Sequence, residues 1–210
     1  MKQEIIQKIE QQIEAGMYPG ASFAYYRDGE WSDCYLGEAN PEIGEQTCQG
    51  LVYDLASVSK VVGVGTVLTF LWHQGELDIE KSVTEFLPDS DYPDITIRQL
   101  LTHSTDLDPF IINRDQLNAE ELKEAMFHLN RREKRAFLYS DVHFLLLGFL
   151  LENYFEKDLD QILQEQVFDP WKMKETQFGP VIRAVPTVRG QKAGVVHDPK
   201  ACLLGKHAGS

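Results

Sequence analysis

Asp54-Leu55-Ala56-Ser57-Val58-Ser59-Lys60 runs directly into the apolar stretch Val61-Val62-Gly63-Val64-Gly65-Thr66-Val67-Leu68-Thr69-Phe70-Leu71-Trp72. A helix opening at or just before Ser57 puts Ser57 and Lys60 on one face, about 5–6 Å apart between Cβ atoms. That sets a hydroxyl beside an amine. A serine hydroxyl is a weak nucleophile until a base takes its proton, and a lysine can be that base when burial or a neighbouring cation makes it shed its own. The first turn of a helix also offers free backbone N–H groups and the positive end of the dipole to an oxyanion. One turn could therefore hold nucleophile, base and part of an oxyanion hole. The same pattern also suits a serine that only caps a core helix.

The chain has 210 residues, 43% hydrophobic and 25% charged, the make-up of an ordinary globular protein with a sizeable core. Lys plus Arg number 20 against 33 Asp plus Glu, a formal net charge of -13. Such a surface repels phosphate backbones and anionic lipid, so neither nucleic acid nor a membrane is an expected partner. Cys34, Cys48 and Cys202 are an odd set without Cys-x-x-Cys spacing, which predicts reduced thiols. No cofactor or metal is expected, since His197-Asp198 has no further ligand at a recognisable spacing. The opening Met1-Lys2-Gln3-Glu4-Ile5-Ile6-Gln7-Lys8 mixes charge with apolar residues and offers no secretory core. The longest apolar tract, Phe144 to Leu151, is too short to span a bilayer. A soluble, cytoplasmic protein is the expectation.

Before the Ser57 turn, Ile5, Ile9 and Ile13 recur at helical spacing, with Gly16 as a stop. Two β-prone runs, 21–26 and 31–36, flank Arg27-Asp28-Gly29-Glu30, a strong hairpin signal. Residues 37–50 read as an irregular connection. After it, Gln74-Gly75 ends the Ser57 helix and Thr96 caps a short helix through Leu101. Asn118-Ala119-Glu120-Glu121 reads as a capping box for a helix on Leu122, Ala125, Met126 and Leu129. Arg131-Arg132-Glu133-Lys134-Arg135 reads as a solvated helix end. Ser140 or Asp141 can cap an apolar helix over 142–154, another helix spans 159–167, and mostly irregular chain follows Phe178. Helix, hairpin and a long helical section predict an α+β fold. The hairpin needs further strands to be stable, and none of sufficient length is visible.

Set beside Ser57-Val58-Ser59-Lys60, the stretch Tyr139-Ser140-Asp141 makes the chain resemble the serine β-lactamase and D,D-peptidase (penicillin-binding protein) superfamily, in its class C β-lactamase and esterase branch. Ile95-Thr96-Ile97-Arg98-Gln99-Leu100-Leu101-Thr102-His103-Ser104 is similar to that branch's T-I-R-x-L-L-T-H-T/S segment. Gly75-Glu76-Leu77-Asp78, Val167-Phe168-Asp169-Pro170 with Met173, and Val196-His197-Asp198 also fit. The resemblance implies a β-lactamase/transpeptidase-like fold, an antiparallel sheet with a large helical region. Residues 1–210 are then one truncated catalytic domain, with helix and hairpin in 1–50, the helical region in 51–180 and a return toward the sheet in 181–210. It implies a serine hydrolase whose Ser57 is acylated by a small-molecule substrate: an ester, amide, β-lactam or D,D-peptide. Lys60 and Tyr139 would share the proton transfer.

Two departures qualify the carry-over. Asp141 stands where the family has Asn, and an ionised carboxylate accepts but cannot donate. It favours the charged ammonium and makes Lys60 a poorer base, which leaves Tyr139 as the working base and Lys60–Asp141 as a charge-paired scaffold. A plain helix cap is the other reading of Asp141. The second departure is the third motif: His207-Ala208-Gly209 matches a His-x-Gly pattern, yet Ser210 could open the true motif, so His207, Gly209 and Ser210 join Asp141 as candidate substrate contacts. In the family more strands follow, and a fragment is the favoured reading. The competing function is a penicillin-binding-like module that holds a ligand or partner without turnover. His103 reads as a hydrogen-bonded loop residue and His143 as part of the apolar helix.

Overall fold

The computed structural model describes residues 2–181, 184–188, 190 and 192–209. The chain divides into two compact units, one of residues up to Asp54 with Pro180–Val195, the other of Leu55–Gly179 with Val196–Ser210.

In the first unit α1 (Lys2–Glu14) precedes β1 (Gly20–Arg27) and β2 (Glu30–Asn40). The two strands pair antiparallel with Arg27 opposite Glu30 and Phe23 opposite Cys34, so only Asp28 and Gly29 form the turn. Both have left-handed backbones, φ 53° and 87°, the type I′ geometry whose twist matches that of the strands. The expected irregular stretch from residue 37 is corrected here. β2 continues to Asn40, and β3 (Glu45–Gln46) folds back on it, completing a sheet of order β1-β2-β3. A two-residue strand is too short to leave an alternating pattern in the sequence. Val52 also bridges Ala184, and Val185 N–H donates to the Val52 carbonyl at 2.8 Å.

The second unit is helical. α2 (Val58–Lys60), a wide π-helical turn (Val61–Gly65) and α3 (Thr66–Gln74) follow one another, and Gly75 closes the run with φ 76°. α4 (Ile97–Leu101) and α5 (Ala119–Phe127) each begin with a complete capping box, Thr96 with Gln99 and Asn118 with Glu121. α6 (Asp141–Phe155) is the centre: every residue from Val142 to Leu151 is buried. A helix apolar on all sides must be enclosed, and α4, α5, α7 (Leu159–Leu163) and the wide turn pack on it. α8 (Pro199–Leu204), capped by Asp198, occupies part of the region expected to be irregular.

The basic cluster is not a helix end. Arg131 bridges Leu107, and its guanidinium reaches Asp94 and Asp106 at 2.6 Å each. Arg132 donates to the carbonyls of Thr105 at 2.6 Å and Leu107 at 3.2 Å, while Arg135 pairs with Asp94. The acceptors lie far upstream in the chain, out of reach of a local reading. This loop therefore braces the 105–107 segment behind the site described next.

Candidate active site

The Ser57 turn is held in a strained shape. Ala56 has φ 45°, a left-handed conformation that costs a residue with a Cβ about 1–2 kcal/mol. Its carbonyl accepts from Ser59 twice, from the N–H at 3.0 Å and the hydroxyl at 2.6 Å. Ser57 follows, exposed, at the N-cap position just before α2, and its side chain makes no capping bond. The cap alternative therefore fails for Ser57. Instead its Oγ accepts from Lys60 Nζ at 3.1 Å.

Lys60 is buried, 3% exposed, and its ammonium has three donors to place. One goes to Ser57 and one to Asp141 Oδ1 at 2.6 Å, and the group also lies 5.2 Å from the centre of the Tyr139 ring. The π-helical turn begins at the next residue. A Cβ on Gly65 would stand 2.9 Å from the Lys60 carbonyl, so glycine is what lets the coil widen there.

Ser140 caps α6, its Oγ accepting from Val142 N–H at 3.2 Å. That leaves Asp141, on the first helical turn, free of the capping role and turned to Lys60. Burial alone would raise the Asp141 pKa, but the Lys60 hydrogen bond and charge, followed by Lys200, hold it below the usual carboxylate range. Lys200 was not marked by any motif. It sits 3.4 Å from Asp141 Oδ2 and 3.1 Å from Asp198 Oδ2. Tyr139 is half exposed, and among the described residues its hydroxyl makes no hydrogen bond; its ring packs 4.8 Å from that of His103.

Behind Tyr139 lies a buried polar chain. Leu107 N–H donates to Thr105 Oγ1 at 3.2 Å, Thr105 Oγ1 meets His143 Nε2 at 2.8 Å, and His143 Nδ1 meets His103 Nδ1 at 2.8 Å. Ser140 N–H also points at His103 Nδ1, at 3.4 Å. An amide can only donate, so the bonding pattern assigns the protons: the Thr105 hydroxyl gives to His143, whose Nδ1–H gives to His103. Both imidazoles are neutral in this arrangement. Burial, then the charge of Lys60, lowers the His103 pKa against the pull of Asp141, and burial followed by the nearby His103 and Arg132 pushes His143 down to about 4. The chain ties the turn after α4 to the residues that present Tyr139 and Asp141.

This burial has a sign that can be measured. Unfolded, His143 takes a proton near the ordinary 6.5; folded, only at about 4. Between those values the unfolded state binds more protons, so stability falls as pH drops from 6.5 and levels off below 4, a loss on the scale of about 3 kcal/mol. His128, raised by hydrogen bonding to Asp91, works in the opposite sense but is solvent-exposed and screened. The denaturation midpoint is expected to fall across this window in the wild type and to fall less in His143→Asn, which keeps polar partners but cannot titrate. Equal falls in both would remove His143 as the cause.

Of the third-motif candidates, His207 and Gly209 lie along α6. His207 Nδ1 lies 2.5 Å from Glu152 Oε1, eleven residues along α6 from Asp141 and so about 16 Å up its axis. Gly209 packs on the backbone of α6, where a Cβ would meet the Phe144 carbonyl at 2.2 Å and Gly148 Cα at 3.1 Å. Ser210 lies outside the described residues. Among the described residues, Glu152, Asp158 and His207 place one ligand atom each within 4.8 Å of one another. Lys206 pairs with Asp158, and Glu152 also accepts from Leu159 N–H, so these groups are already bonded within the protein.

Fold and site together define a class, the β-lactamase/transpeptidase-like fold. The chain belongs to the Beta-lactamase family, whose model matches residues 5–210. A curated relative from Escherichia coli (strain K12), described as "Putative D-alanyl-D-alanine carboxypeptidase", is 26% identical over 228 residues, covering 91% of this chain and 52% of that protein. The chain thus spans about half the length of the curated relatives it matches. Among solved structures, the D-amino acid amidase from Ochrobactrum anthropi SV3 superposes with a TM-score of 0.77 at 22% identity, over 98% of this chain and 65% of that one. A class C beta lactamase from Rhodobacter sphaeroides gives 0.71 at 19% identity, over 96% and 60%. At these identities the structural likeness speaks for the fold. No helix among the described residues is long and apolar enough to cross a membrane.

Proposed function

We propose that this chain carries the nucleophile of a serine hydrolase that forms an acyl-enzyme on Ser57 with a small ester, amide, β-lactam or D,D-peptide. The observation that carries the reading is the buried Lys60 ammonium, 3.1 Å from an exposed serine hydroxyl at a strained helix start. As Ser57 Oγ attacks the substrate carbonyl carbon, its proton passes to Tyr139 in the phenolate form, and the phenol so made protonates the departing group as the acyl bond breaks, which returns Tyr139 to the phenolate. Lys60, paired with Asp141, orients Ser57 and stands 5.2 Å from the centre of the Tyr139 ring. The N–H groups of Val58, Ser59 and Lys60 already donate to the carbonyls of Leu55, Ala56 and Ser57, so the backbone N–H of Ser57 is the donor left to the developing oxyanion. The names of the carboxypeptidase relative and the amidase neighbour support acyl transfer on D-amino acid derivatives. Small-molecule substrates, without nucleic acid or membrane, fit the acidic composition.

A second reading, a module that binds without turnover, draws on the Tyr139 hydroxyl, which makes no hydrogen bond among the described residues, and on the tightly paired Lys60. One experiment separates them. The protein is incubated with a fluorescent penicillin and separately with nitrophenyl esters, and any adduct is located by peptide mass mapping. Label on the peptide carrying Ser57 together with ester turnover supports the hydrolase. Label without turnover supports the binding module, whereas no adduct and no turnover, or an adduct on another residue, overturns the role of Ser57.

A further inference from the structure

Lys200 has no place in the motifs around Ser57, yet α8 brings it to the same carboxylate that holds Lys60. We propose that Lys200 is a positioning residue for the reaction at Ser57: it grips Asp141 Oδ2, keeps Oδ1 turned to Lys60, and supplies the second positive charge that sets the proton balance of the site. The proposal rests on the serine hydrolase reading above.

The geometry is a row of alternating charges. Lys60 Nζ meets Asp141 Oδ1 at 2.6 Å, Asp141 Oδ2 meets Lys200 Nζ at 3.4 Å, and Lys200 Nζ meets Asp198 Oδ2 at 3.1 Å. The lysine side chains are 4% and 13% exposed, so water screens them little. Asp198 is itself anchored, because its Oδ1 accepts from Ala201 N–H at 2.9 Å and caps α8. Two cations and two anions, carried by α2, α6 and α8, sum to zero.

The other groups facing this row are Ser57 from α2, Tyr139 ahead of α6 and His103 from the turn after α4, with His143 and Arg132 behind them. The imidazoles are neutral in the hydrogen-bonded chain, so the four charges set the local field. Without Lys200, Asp141 is committed wholly to Lys60 and the site loses a positive charge. Every group near Ser57 then holds its proton more tightly, whichever one gives it up during acylation. Neutralising Asp198 acts in the opposite sense.

The test measures the rate of Ser57 labelling by a fluorescent penicillin from about pH 5 to about pH 10. Wild type, Lys200→Met, Lys200→Arg and Asp198→Asn are compared, and the Asp141 carboxyl is titrated in each by carbon-13 NMR. Asparagine retains the cap of α8 while removing the charge. Lys200→Met is expected to move the ascending limb of the rate profile and the Asp141 titration upward by about one pH unit. Asp198→Asn is expected to move both downward, and Lys200→Arg to stay near wild type. A Lys200→Met rate reduced equally at every pH, with no change at Asp141, overturns the proposal; so do shifts of one sign in Lys200→Met and Asp198→Asn. The NMR arm does not depend on activity. The expected Asp141 shifts in a protein that takes no label would leave the charge row standing and sink the serine reading alone.

Discussion

Tyr139→Phe is expected to slow acylation of Ser57 by about 10²–10⁴-fold, the usual contribution of a positioned acid–base group. The substitution removes only the hydroxyl, which makes no hydrogen bond among the described residues. The ring contacts that hold the side chain, His103 at 4.8 Å and the Lys60 ammonium at 5.2 Å, remain available to phenylalanine. Stability should therefore stay within about 0.5 kcal/mol of wild type, so that the rate loss reports chemistry and not folding. Stopped-flow labelling with a fluorescent penicillin, beside a denaturation curve, measures both quantities. Lys60→Ala is the necessary companion. If Tyr139→Phe keeps most of the acylation rate while Lys60→Ala abolishes it in a folded protein, Lys60 is the base and the assignment to Tyr139 is wrong. The expectation of a tyrosine base has a direct structural motive. Lys60 Nζ lies 2.6 Å from the Asp141 carboxylate, a contact suited to an ammonium and not to the neutral amine a base must be, which leaves Tyr139 for that role.

What the sequence disclosed follows the range of the interactions. The hairpin was legible because Asp28-Gly29 fixes its own left-handed turn, and the capping boxes because their partners stand three residues apart. The pairing of Ser57 with Lys60 is equally local. Asp141 could be matched to Lys60 only through the resemblance, since 81 positions separate them. Nothing local could place Lys200 in the site, or show that His103 and His143 share a hydrogen bond across 40 positions. The register of the His-x-Gly pattern stayed open for the converse reason. Three residues carry too little information to fix a position, and Glu152 on α6 is where His207 bonds. β3 was hidden by its length, two residues that alternate with nothing.

Asp141→Ala is expected to destabilise the fold by about 3 kcal/mol at neutral pH, because it strands an ammonium that is 4% exposed. The figure is the lower end of the range for a broken buried pair, since the Asp141 carboxylate is itself 28% exposed and water can reach the space it leaves. The pH dependence identifies the cause. The Asp141 pKa lies below its ordinary 3.8 in the fold, so its contribution is complete above the unfolded value and is lost as pH falls through the folded one. Wild type and Asp141→Ala should therefore begin to converge in stability as pH falls past 3.8 and meet only below the folded value. The double variant Lys60→Met with Asp141→Leu separates pairing from structure, because it removes both charges and leaves apolar groups of similar size. Replacing a buried ion pair in this way is often neutral or stabilising, so the double variant should regain most of the loss while remaining inactive. A double variant as unstable as Asp141→Ala would mean that the pair itself holds α2 to α6. Recovery of stability without acylation would mean that the fold needs neither charge, and that Asp141 is there to keep a cation beside Ser57.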